Sequence, residues 1–164
     1  MRLRLLLAAF AIAALPASAS AELPTPTAGE VVAAVEDCAE AASPQSVDTA
    51  VLVARGWEKG RAEANGEELV LPLQVYGKGR TSPVLMLSEL NDKGPSACML
   101  MGGLDRRAGF EGLASALSEA FTPAGESDGD RYFRIGPDFA ILTPTGSRRK
   151  PSFRMAVIEI GEKN

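Results

Sequence analysis

Histidine is absent from the sequence. That removes Ser-His-Asp and Cys-His nucleophilic sites, H-E-x-x-H zinc sites and every metal centre built on imidazole. Cysteine is scarce, with Cys38 and Cys98 the only two, so thiolate chemistry has little to draw on. No G-x-G-x-x-G, G-x-x-x-x-G-K-[ST] or G-x-S-x-G occurs, and the residues imply no cofactor. An excess of positive charge is also missing: 17 basic residues face 21 acidic ones. A general nucleic-acid binder needs a basic footprint, so that class is set aside, as is adhesion to an anionic membrane.

What is present begins with a leader. Arg2 and Arg4 precede the apolar run Leu5–Leu15, which Pro16 and the small-residue sequence Ala17-Ser18-Ala19-Ser20-Ala21 follow. This order predicts a secretory signal peptide over 1–21, with Glu22 opening the mature chain. Eleven apolar residues rise only about 16 Å as a helix against a hydrocarbon core of about 30 Å, too short for an anchor. The compact leader suits a bacterial periplasm, so a periplasmic or secreted location is expected. Cleavage would leave residues 22–164, a length that suits one domain. Removing Arg2 and Arg4 lowers the 17 basic residues to 15, against 21 acidic.

In an oxidising compartment two cysteines are expected to pair. Two free buried thiols are the alternative. Cys38 falls on a predicted helix and Cys98 on a predicted strand, so a bridge would pin one to the other. A redox role is disfavoured because there is no C-x-x-C spacing.

The mature chain divides into short elements. Residues 22–27 are expected to be loose. Thr27 with Glu30 forms a capping-box pattern opening a helix to about Ala42, with Val31, Val35, Cys38 and Ala42 as its apolar stripe and Asp37 among its surface acids. Residues 47–56 fit a strand or a short helix; Asp48 as cap and Gly56 as stop favour the helix. Asn65-Gly66 is a hairpin signal, followed by an alternating strand from Leu69 to Tyr76 that Pro72 confines to an edge or a bulge. Strands at Pro83–Ser88 and Ala97–Met101 come next, and Gly102-Gly103 is expected to break the second. A helix over Phe110–Phe121 comes after it, stopped by Thr122-Pro123, then a mobile acidic loop over 124–130. Strands at Arg131–Ile135, Phe139–Leu142 and Ser152–Ile160 close the chain. Short connections between strands exclude parallel crossovers. The expected fold is α+β: a mostly antiparallel sheet of about five to seven strands, with two main helices on one face and a Cys38–Cys98 bridge.

Candidate functional residues are few. Ser147-Arg148-Arg149-Lys150 matches S-x-x-K, but Pro151 is next and no K-T-G or S-D-N accompanies it. A solvated turn with three positive charges is favoured, with contact to an anion as its functional form. Arg106 and Arg107 stand between the double glycine and the second helix, where a polar site at a strand end would favour anions. Trp57, the single tryptophan, is read as a core anchor before a ligand platform. Glu126–Asp130 has a faint calcium-loop look, but Phe139 stands where an EF-hand needs its glutamate. The binding candidates are therefore Arg106, Arg107, Arg148, Arg149, Lys150 and Trp57, with no catalytic or metal residue. Export, small size and the missing catalytic motifs point to a non-catalytic interaction domain whose partner is another envelope protein or an anionic ligand. The alternative is a small cell-envelope hydrolase using a carboxylate pair from Glu89, Asp92, Asp105 and Glu111.

Overall fold

A computed structural model describes residues 22–42, 47–61, 63–64, 67–68, 73–88 and 97–159. Helix α1 (Ala28–Ala41) starts at the expected capping box. Thr27 Oγ1 accepts the Glu30 N–H at 3.2 Å, and Glu30 Oε2 accepts the Thr27 N–H at 2.7 Å. Glu30 Oε1 also accepts the Thr81 hydroxyl at 2.5 Å. That bond first, then those from Thr27, holds the Glu30 carboxyl below its ordinary value. Val31, Ala34, Val35, Cys38 and Ala41 bury one side of the helix. Asp37 departs from expectation. It lies on the packed side, only 6% exposed, because position 37 falls between Ala34 and Ala41 at helical spacing.

Residues 49–54 take the helical option. In α2 (Thr49–Ala54) the Asp48 side chain caps the first turn by accepting the Ala50 N–H at 2.9 Å. The chain then enters strands β1 (Glu58–Lys59), β2 (Glu63–Ala64), β3 (Glu67–Glu68), β4 (Leu73–Gly77), β5 (Val84–Ser88) and β6 (Ala97–Gly103). β2 and β3 pair antiparallel with Ala64 opposite Glu67, so they flank Asn65-Gly66 as a hairpin would. Asn65, Gly66 and Leu69–Pro72 lie outside the described residues.

Gly102-Gly103 does not break the strand; β6 runs through both. The need for glycine there is space. A Cβ on Gly102 would stand 2.6 Å from the Phe153 ring and 2.9 Å from the Pro26 ring. The bare backbone lets the N-terminal segment lie close over the strand end, where Gly103 donates its N–H to the Pro24 carbonyl at 2.7 Å. The stretch expected to be loose is thus docked at that point.

Helix α3 (Gly109–Ala120) buries Phe110, Leu113, Ala114 and Leu117, as its periodicity predicts. Strands β7 (Thr122–Ser127), β8 (Asp130–Ile135), β9 (Asp138–Gly146) and β10 (Pro151–Glu159) complete the order. The segment expected as an acidic loop is therefore largely β7, fully exposed at a sheet edge. Its pairing with β8 compensates for its poor strand composition, and a register shift between Pro123 and Gly125 accommodates the proline.

Among the described residues every pairing is antiparallel, and the main sheet has eight strands in the order β1-β4-β5-β6-β10-β9-β8-β7. That exceeds the five to seven expected. A plain regularity underlies the order. In each half a helix precedes four strands of this sheet: β1-β4-β5-β6 after α1, with α2 and the β2–β3 pair set between them, and β7-β8-β9-β10 after α3. The last strands of the two halves meet at the middle, with Gly102 opposite Phe153 and Cys98 opposite Val157. α1 packs on β6 and β10 and against α3, while α3 covers β7 and β8. The core between helices and sheet holds Cys98, Leu100, Phe133, Ala140, Leu142, Phe153, Met155 and Val157. Among the described residues no helix is long and apolar enough to cross a membrane.

The Cys38–Cys98 bridge is formed, with Cα atoms 5.8 Å apart and both residues fully buried. It ties α1 to a central strand across a separation of 60 residues. Closing a loop of that length stabilises the fold by about 4 kcal/mol through the unfolded chain. Replacing both cysteines by alanine should lower the urea-unfolding free energy by roughly that amount. Gly102→Ala should cost about 1–3 kcal/mol in the same measurement, because the Phe153 and Pro26 rings must move.

Candidate functional site

Antiparallel pairing of β6 with β10 puts the end of one beside the start of the other: Gly103 lies opposite Ser152. The segment leaving β6 and the segment entering β10 are therefore neighbours. The first is Leu104-Asp105-Arg106-Arg107, and the second is Gly146-Ser147-Arg148-Arg149-Lys150. The two basic segments singled out from the sequence come together at this end of the sheet.

The β9–β10 turn is held tightly. The Ser147 N–H donates to the Lys150 carbonyl at 3.0 Å, and the Lys150 N–H donates to Ser147 Oγ at 3.1 Å. Gly146 has φ +76°, and a side chain there would collide with the Lys150 carbonyl. The S-x-x-K spacing thus serves the turn. On the facing side the Leu104 N–H donates to the Pro151 carbonyl at 2.9 Å, joining the two segments. Arg106 and Arg107 accept from Gly109 and Phe110 through their carbonyls, at 2.9 and 3.2 Å, as the chain winds into α3.

Two clefts flank this joint and share Leu104, Pro151 and Ser152 as a wall. The smaller has a volume of about 280 Å³. Arg107 and Arg148 line it together with the apolar side chains of Phe110 and Pro144. The larger, about 490 Å³, takes Arg149 and Lys150 from the turn and Asp105, Glu22 and Leu23 from the other side. Lys150 Nζ stands 3.5 Å from Glu22 Oε1 across it. Ser152 is buried in the shared wall, its hydroxyl 2.9 Å from that of Thr145. Of the basic candidates only Arg106 lines neither cleft. Comparison with protein-family models, curated proteins and solved structures finds no match. What the clefts can do therefore rests on their own chemistry: the smaller sets two arginines over an apolar floor, suited to holding a negative group, and the larger mixes cations with Glu22 and Asp105.

Trp57 is elsewhere and is not presented to a ligand. It is 2% exposed, and its indole N–H donates to Asp37 Oδ2 at 2.9 Å. The same oxygen lies 3.1 Å from Lys78 Nζ, and Arg55 Nε lies 3.9 Å from Oδ1. Arg55 also pairs with Glu40, and Lys78 Nζ sits 5.8 Å from the centre of the Trp57 ring. This polar knot under α1 was missed in the sequence. The available signal was the single tryptophan, whose buried N–H requires an acceptor.

Of the acids proposed for hydrolysis, Asp105 and Glu111 are described. Glu89 and Asp92 lie outside the described residues. Asp105 lines the larger cleft, whereas Glu111 lies 3.4 Å from Arg131, which Glu126 also reaches at 3.1 Å. The segment Glu126–Asp130 forms the β7–β8 hairpin, and among the described residues no group of three or more acids and cysteines is placed to hold a metal ion.

Trp57→Phe should cost about 1–3 kcal/mol in urea unfolding, since buried Asp37 Oδ2 loses its indole donor. Lys78→Met, at the more exposed rim of the same knot, should cost less than about 1 kcal/mol.

Proposed function

We propose that this chain is an exported, non-catalytic binding module of the periplasm or extracellular space. It recognises a negatively charged group, on another envelope protein or a small ligand, at the basic end of its sheet. The observation that carries this reading is the convergence of Arg107 with Arg148 on one cleft and of Arg149 with Lys150 on its neighbour. Arg107 and Arg148 give the smaller cavity a local field opposite in sign to the net charge of −4, while in the larger one Glu22 and Asp105 stand against Arg149 and Lys150. The leader over 1–21 supports export, and the formed bridge suits an oxidising compartment.

The carboxylate hydrolase remains the second reading on one observation: Asp105 and Glu22 line the same larger cleft. It predicts turnover of glycan fragments that Asp105→Asn abolishes.

The test of binding is capture. The tagged protein, incubated with extract of the envelope compartment, should retain a partner or ligand that the double variant Arg148→Glu, Arg149→Glu retains at least about tenfold less. Equal retention by the variant would discard the basic end as the contact surface.

A further inference from the structure

The smaller cleft is more selective in its chemistry than the larger. Arg107 and Arg148 supply its charge, and among the described residues no carboxylate lines it. Among the described residues neither guanidinium forms an ion pair, whereas Arg55, Lys78, Arg131 and Lys150 all do. The floor is apolar, made by Leu104, Phe110, Pro144 and Pro151. Hydroxyls complete the lining: Ser147 accepts the Lys150 N–H and so keeps its own hydrogen to donate. The larger cleft differs on each count. Glu22 and Asp105 line it, and Lys150 is already engaged by Glu22.

We propose that the smaller cleft binds a carboxylate carried on a compact apolar body, seating the carboxylate between Arg107 and Arg148 and the body on Leu104 and Phe110. This deepens the anion-binding reading and rests on it. A planar carboxylate matches the guanidinium fork, which can meet it with two parallel hydrogen bonds. A volume of about 280 Å³ is at the small end for ligand sites, so the body is one ring or a chain of roughly six carbon atoms. A tetrahedral, fully hydrated phosphate brings nothing to cover the apolar floor and is expected to bind less well. The same chemistry occurs in two sources, a free small acid and the C-terminal carboxylate of a peptide ending in an apolar residue.

The experiment is titration calorimetry on the purified protein with phenylacetate, hexanoate, their amides, inorganic phosphate, and a tripeptide ending in phenylalanine with a free or amidated C terminus. The acids should bind at least about tenfold more tightly than their amides and than phosphate. Arg107→Gln and Arg148→Gln should each weaken the acids about tenfold, and Arg80→Gln, an exposed turn residue that lines neither cleft, should leave them unchanged. The substituted arginines belong to surface segments, and unchanged thermal melts would verify that the variants fold. A free-acid tripeptide that binds more tightly than phenylacetate identifies a protein C terminus as the source; weaker binding identifies a free acid. Acids and amides that bind alike, phosphate as the tightest probe, or indifference to Arg148→Gln would overturn the proposal. Failure of every probe would also overturn it, while partner capture that depends on Arg148 and Arg149 would still stand by its own test.

Discussion

The architecture depends on one turn of α1. Cys38 fixes that turn covalently to β6, at the centre of the sheet. Its neighbour Asp37 holds Trp57, just before β1, and Lys78, just after β4, at the sheet's rim. Adjacent residues on one helix thus fasten it to two distant parts of a twisted layer, one by a bond and one by charge and hydrogen bonds. Burying a carboxylate is costly, and the indole and the ammonium offset that cost. With the helix fixed, its apolar side closes the core over the β6–β10 seam.

The elements with strong local signals were legible in the sequence. Thr27 and Glu30 announced α1, Asp48 announced α2, and the Phe110, Leu113, Ala114 and Leu117 stripe announced α3. Cys38 and Cys98 announced the bridge, because only one pairing was open to them. What could not be read were the features set by distant neighbours. Gly102 looked like a strand breaker, because nothing local says that Phe153 and Pro26 will crowd it. The segment Thr-Pro-Ala-Gly-Glu-Ser has poor strand composition and becomes β7 only because β8 supplies a partner. Asp37 looked like a surface acid until Trp57 and Lys78 closed on it.

The basic end obeys the same division. Both arginine segments were visible as charge runs, and each alone reads as a solvated turn. Their meeting is a consequence of register. Antiparallel pairing of the two terminal strands puts the exit of β6 against the entry of β10, so the loops at those points share a wall. A shift of register by a residue would turn the inward set of β10, including Phe153, away from the core. The geometry of the clefts is therefore protected by the packing of the centre.

The placement of β10 has a consequence for the order in which the chain comes together. β6 is a central strand in the finished sheet, yet its partner on one side is the last strand of the chain. Until residue 151 has emerged, one side of Ala97–Gly103 carries unpaired peptide groups beside apolar side chains, a template for wrong association. Both sulfurs belong to the earlier half, so in an oxidising compartment the covalent link can close before β10 pairs. The helix is then held beside that open edge until the last strand docks.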